Sequence, residues 1–123
     1  MPTRRFLELS SQAVQGPIWQ NLTLDRYRQA GLDVLHVPTL DGAVPSDHEL
    51  SAAVAWIERQ RATGQSVLVH CVGGLGRAGT IAACWLRSKG FDAARAIATV
   101  REVRSPRAVE TALQEQTIAR FGG

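Results

Sequence analysis

The chain has 123 residues, a net charge of +3 and ordinary apolar and charged content, so one domain with its own core is the expectation. The charge is too weak and too dispersed for a nucleic-acid surface, and no segment approaches the ~18 apolar residues of a membrane span. Cys71 and Cys84 make no disulfide framework, and together with His36, His48 and His70 they show no metal-ligand spacing.

Residues 4–9, with Phe6, Leu7 and Leu9 apolar, read as a short strand. Arg4 and Arg5 are paired as in a twin-arginine export signal, but Glu8 and Ser10-Ser11-Gln12 follow where an apolar stretch would be needed. A cytoplasmic protein without metal or cofactor is therefore expected. Residues 11–22, which include Trp19, carry no clear period, and 24–30 read as a short helix before Gly31. Leu32 to Val37 is a strand ending at Pro38, and Asp41-Gly42-Ala43-Val44-Pro45 is a loop.

Ser46 and Glu49 have capping-box spacing, and Leu50, Ala53, Val54 and Ile57 line one face of the helix they start. Gly64 ends that helix. Ser66 to His70 is apolar on both faces, as a buried parallel strand would be. A helix over 77–89 closes at Gly90, Asp92 caps the next one to about Arg104, and a last helix is expected from about Ala108 to Phe121 after Pro106. Strands alternating with helices predict a single α/β domain over 1–123, with a mostly parallel central sheet flanked by helices. Sites in such sheets lie at the carboxyl ends of strands, which is where Cys71 stands and which Asp41 follows.

The run Val67-Leu68-Val69-His70-Cys71-Val72-Gly73-Gly74-Leu75-Gly76-Arg77 places one thiol, a ring of backbone N–H groups and one guanidinium around a point. Gly73, Gly74 and Gly76 let the backbone curl into an anion nest with Val72 and Leu75, and the following helix aims its positive end there. Arg77 can hold two oxygens of a phosphate in a fork. The same field lowers the pKa of the Cys71 thiol, so that a thiolate can attack phosphorus. Asp41 is the candidate acid for the leaving group; Asp47 is the rival, but its place in a helical first turn is explained by the helix dipole.

These residues resemble the cysteine-dependent protein tyrosine phosphatase superfamily, whose signature is His-Cys, five residues, then Arg. The stretch Pro38–Asp47 is similar to the general-acid loop of the small dual-specificity phosphatases, and Pro106–Glu115 to the Pro-…-Glu-Thr-x-x-Gln segment that closes many of them. The resemblance covers roughly residues 32–121. It implies a phosphatase-like fold, Cys71 as nucleophile, Arg77 as phosphate clamp and Asp41 as general acid. It gives His70 a loop-holding role, Gln114 a hydrolytic water to place, and Glu110 a supporting place at the site's edge. The substrate implied is a phosphotyrosine protein or peptide, with phosphoserine and phosphothreonine as further targets and phosphate-like oxyanions as inhibitors.

The family usually carries Ser or Thr directly after the arginine; this chain has Ala78. Loss of that hydroxyl predicts a second step slowed roughly 10–100-fold, the worth of one hydrogen bond to a charged group. Thr80 points elsewhere on the helix. The alternatives keep the fold and take a phosphoinositide, inositol phosphate or nucleic-acid 5′-phosphate, or give a low-turnover phosphoprotein-binding module. The uncharged loop argues against the polyphosphorylated substrates, and only Ala78 favours the module. The five-residue spacing and Asp41 argue against a sulfurtransferase, and the lack of further suitably placed cysteines against an arsenate reductase. Cys84, Trp56 and Trp85 read as core or half-core, His48 as exposed, and Arg101, Arg104 and Arg107 as a solvated basic face.

Overall fold

The computed structural model describes residues 4–9, 29, 33–37, 39, 43–71 and 76–122. The strands are β1 (Arg4–Leu9), β2 (Asp33–His36) and β3 (Ser66–Cys71), and the helices are α1 (Asp47–Ala62), α2 (Gly76–Ser88), α3 (Ala93–Val103) and α4 (Ala112–Arg120). The expected helix over 24–30 lies outside the described residues apart from Gln29, as does the stretch 11–22.

The described strands pair in the order β2-β1-β3, both pairings parallel. Glu8 stands opposite His36 on one side and His70 on the other, and Leu9 stands opposite Cys71. The carboxyl ends of β2 and β3 therefore leave the same edge of the sheet. One intervening strand holds them roughly 10 Å apart, twice the spacing of neighbouring strands.

The Ser46 hydroxyl accepts from the Glu49 N–H at 3.1 Å, and the Glu49 carboxylate accepts from the Ser46 N–H at 3.0 Å, so both ends of the capping box are closed. The face this start presents is the one the sequence marks, with Leu50, Ala53, Val54 and Ile57 buried. Gly64 and Gly90 follow α1 and α2 at φ +80° and +99°, a left-handed turn that glycine enters without a Cβ penalty. Asp92 caps α3 through the Arg95 N–H.

Helix α2 is the centre of the packing, meeting β3, α1, α3 and α4. It is buried from Gly76 through Ile81 and again at Ala83 and Cys84, which leaves its small residues little choice of size. Burial pushes the Cys84 thiol up to about 12, so this cysteine is a neutral core residue near pH 7. Trp56 and Trp85 are half-buried against the same core. The Trp85 indole donates to Glu58 at 2.6 Å, with Arg61 and Lys89 over its ring. The Arg87 guanidinium donates to the carbonyls of Ala119 and Phe121 and so answers the exposed acceptors at the end of α4. Among the described residues, no helix is long and apolar enough to cross a membrane.

The last helix departs from expectation. It starts at Ala112 rather than near Ala108, because Val109 adopts φ +70° and Thr111 caps the helix by accepting from the Gln114 N–H at 3.1 Å. Ser46→Ala removes an exposed cap and nothing buried. It should lower stability by about 1 kcal/mol, read by chemical denaturation, whereas Ser46→Gly should cost only a few tenths.

Candidate active site

Strand β3 ends on Cys71, and α2 opens on Gly76, Arg77 and Ala78. His70 stands in β3 beside Cys71. Val72, Gly73, Gly74 and Leu75, which connect the two elements, lie outside the described residues, and so does Asp41.

Arg77 is only 2% exposed and donates through Nη1 to the Thr39 carbonyl at 2.7 Å. Thr39 is itself buried, with its hydroxyl donating to the Val37 carbonyl at 3.3 Å. A buried guanidinium thus grips the segment that leaves β2, two residues before Asp41. The Nε–Nη2 edge, the one suited to a forked oxyanion contact, is not the edge Thr39 takes.

The other side of the same segment is held by Gln114, which is 1% exposed. Its amide nitrogen donates to the Ala43 carbonyl at 3.4 Å, two residues after Asp41. Its amide oxygen accepts from the N–H groups of Glu110 and Thr111 at 2.8 and 3.2 Å. The contacts of this side chain are therefore with backbone, and they tie α4 to the loop that carries Asp41.

Glu110 faces the start of α2, where its carboxylate accepts from the Gly76 N–H at 2.7 Å. That N–H is among those a helix leaves without an internal acceptor, and a carboxylate is favoured there by the helix dipole. Gly76 is needed for space. A Cβ there would lie 2.6 Å from Gln114 Oε1, 2.9 Å from Gln114 Nε2 and 3.0 Å from Glu110 Oε1.

Ala78 is buried and lines an apolar hollow of about 290 Å³ with Val69 and Ala82. The Thr80 hydroxyl is fully buried and donates to the Gly76 carbonyl at 2.6 Å, one helical turn back. Its proton is thereby committed within α2.

Two residues around the site have contacts that the sequence did not assign to them. Thr39 contributes through a carbonyl, for which sequence carries no signature. Arg101, read as part of a solvated basic face, instead donates to the carbonyls of Ala108 and Val109 at 3.2 and 3.0 Å and to Glu115 at 2.8 Å. The Thr111-x-x-Gln114 spacing is a readable capping-box signal that fixes both Gln114 and the start of α4.

Gly76→Ala forces Gln114 and Glu110 off their backbone partners. It should destabilise the fold by about 1–3 kcal/mol in chemical denaturation, against the small gain that alanine gives an unobstructed helix position.

Residues 19–119 match the family described as "Swiss Army Knife protein, DSP-PTPase phosphatase domain". Over 90 residues the chain is 33% identical to an uncharacterized protein of Methanocaldococcus jannaschii, covering 73% of this chain and 60% of that one. Over 100 residues it is 32% identical to cyclin-dependent kinase inhibitor 3 of Rattus norvegicus, covering 80% of this chain and 47% of that protein. Among solved structures, Tk-PTP in its active form is similar with a TM-score of 0.84 and 34% identity, over 97% of this chain and 78% of that one. A match across most of the chain, with a buried arginine six residues beyond a strand-ending cysteine, has one consequence: the chain belongs to the small dual-specificity branch of the cysteine-dependent protein tyrosine phosphatase superfamily.

Proposed function

We propose that the protein hydrolyses phosphate monoesters through a phosphocysteine, with phosphotyrosine in proteins or peptides as its principal substrate and phosphoserine and phosphothreonine as further ones. The observation that carries this reading is the buried Arg77, set just past Cys71 and bonded to the segment that leads to Asp41.

In the first step the Cys71 thiolate forms an S–P bond as the ester P–O bond breaks, and Asp41 gives its proton to the leaving oxygen. In the second, water forms the new P–O bond, Asp41 takes a proton from it, and the S–P bond breaks to release phosphate and the thiolate. The N–H groups of Val72, Gly73, Gly74 and Leu75 form the cradle, the Gly76 N–H at its end donates to Glu110 instead, and Arg77 follows the charge that spreads over the equatorial oxygens. His70 braces the cradle from β3. Gln114 and Glu110 support it from the α4 side, and a water expected of Gln114 would use its amide N–H groups, because the amide oxygen already accepts two backbone hydrogens. The reaction as written requires no metal.

The uncharged residues Val72, Gly73, Gly74 and Leu75 favour a singly phosphorylated group over a polyphosphorylated headgroup. An aryl phosphate should be turned over without added metal, with a bell-shaped pH profile on the acidic side of neutral, and Cys71→Ser should abolish it. Activity surviving in Cys71→Ser, or requiring a divalent cation, rejects the reading. Assayed side by side, a phosphotyrosine peptide should exceed a phosphoinositide in kcat/KM.

Neither Ala78 nor Thr80 is equipped to stabilise the departing thiolate, since one lacks a hydroxyl and the other spends its proton on Gly76. Breakdown of the phosphoenzyme should limit turnover and give a burst in pre-steady-state measurements. Ala78→Ser should raise the steady-state rate roughly 10-fold and shrink the burst; an unchanged rate with an unchanged burst would show that the hydroxyl is not what the second step lacks.

A further inference from the structure

Val109 is a β-branched residue at φ +70°, a conformation that the isolated chain strongly avoids. Such a conformation persists only where surrounding contacts over-determine it. Two sets of contacts do so here. Ala108 and Val109 are buried against α2 at Gly79, where a Cβ would lie 3.0 Å from the Val109 nitrogen and 3.2 Å from the Ala108 Cβ. Arg101 then reaches across from α3 and donates to the carbonyls of both residues. The guanidinium is suited to this, because its planar fork holds two spaced donors in fixed directions, where an ammonium presents its donors from a single point. The residue that the turn delivers next is Glu110, whose carboxylate receives the Gly76 N–H at the end of the anion loop, while its own N–H is fixed by Gln114.

We infer that Arg101 is a positioning residue for the anion loop: by clamping the left-handed turn at Val109, it sets Glu110 on Gly76 and so fixes the loop end that carries Arg77. The inference rests on the phosphatase reading above. Its chain of contacts runs Arg101, Val109, Glu110, Gly76, with no contact between Arg101 and the reacting atoms required. The exposed ion pair from Arg101 to Glu115 lies on the outer side of this chain and has no part in it.

The test is a double-mutant cycle on the full chain with an aryl phosphate as substrate, each rate normalised to folded protein. Arg101→Met should lower kcat/KM about tenfold, and the same change in a Glu110→Ala background should cost less than about twofold, because the turn then has nothing to deliver. Arg101→Lys, which keeps the charge and the stem but lacks the planar pair of spaced donors, should fall between the parent and Arg101→Met, and it carries the test if Arg101→Met fails to fold. Glu115→Gln should leave kcat/KM within about twofold of the parent. Multiplicative effects of Arg101 and Glu110 overturn the inference, as does a Glu115→Gln loss equal to that of Arg101→Met. Cys71→Ser is run in parallel. Activity that survives there removes the phosphatase reading itself, whereas Cys71-dependent activity indifferent to Arg101 removes only the positioning role.

Discussion

The Arg77 guanidinium lies almost entirely out of solvent at the first turn of α2, donating to the Thr39 carbonyl at 2.7 Å. Taking such an ion out of water costs several kcal/mol after relaxation, so its surroundings must return acceptors and negative charge. One acceptor comes from the segment that leaves β2, which makes the position of that segment part of the solvation of Arg77. Gln114 holds the far side of the same segment at Ala43. The loop expected to supply the acid is therefore anchored two residues before and two residues after Asp41, by Arg77 of α2 and Gln114 of α4.

Those anchors depend on small residues at defined places. Helix α2 is packed on several sides at once, and the 108–109 turn approaches it at Gly79 as closely as a missing Cβ allows. At Gly76 the missing Cβ makes room for Gln114 and Glu110. Packing and hydrogen bonding are thus interdependent here: the close approach is what lets an α4 side chain bond both the Glu110 backbone and the Ala43 backbone. The Glu110 carboxylate takes a backbone N–H at the helix start that would otherwise be available to an anion. It fixes the start of α2 at Gly76.

Much of this frame is legible in the sequence where local physics decides. Ser46 and Glu49 announce α1 because both partners of the capping box lie within one turn. Leu50, Ala53, Val54 and Ile57 mark its buried face, and Gly90 and Asp92 mark the break between α2 and α3. The Cys71 and Arg77 positions follow from the strand end and helix start around them. The 106–111 turn is not legible in the same way. Nothing near Val109 in sequence favours a left-handed β-branched residue, and the contacts that impose it come from Arg101 eight residues earlier and from Gly79 on another helix. A helix extrapolated back to Ala108 is the outcome of local propensity alone. Arg101 itself reads as solvent-facing because charge and period say nothing of a carbonyl waiting on the next turn of chain.

The first turn of α2 also separates the two halves of the proposed chemistry. Attack on phosphorus draws on charge and dipole: the guanidinium and the helix start act at a distance and need no hydroxyl. Release of sulfur in the second half calls for a donor beside the thiolate as negative charge returns to it. In α2 the side chains one and three residues past Arg77 are Ala78, which lines an apolar hollow, and Thr80, whose proton closes onto the Gly76 carbonyl at 2.6 Å. The Thr80 bond is buried and short, so breaking it to serve the thiolate would leave the Gly76 carbonyl to rely on its helical backbone bond alone. In the proposed reaction, the same hydrogen bond that tightens the helix start withholds a donor from the second step.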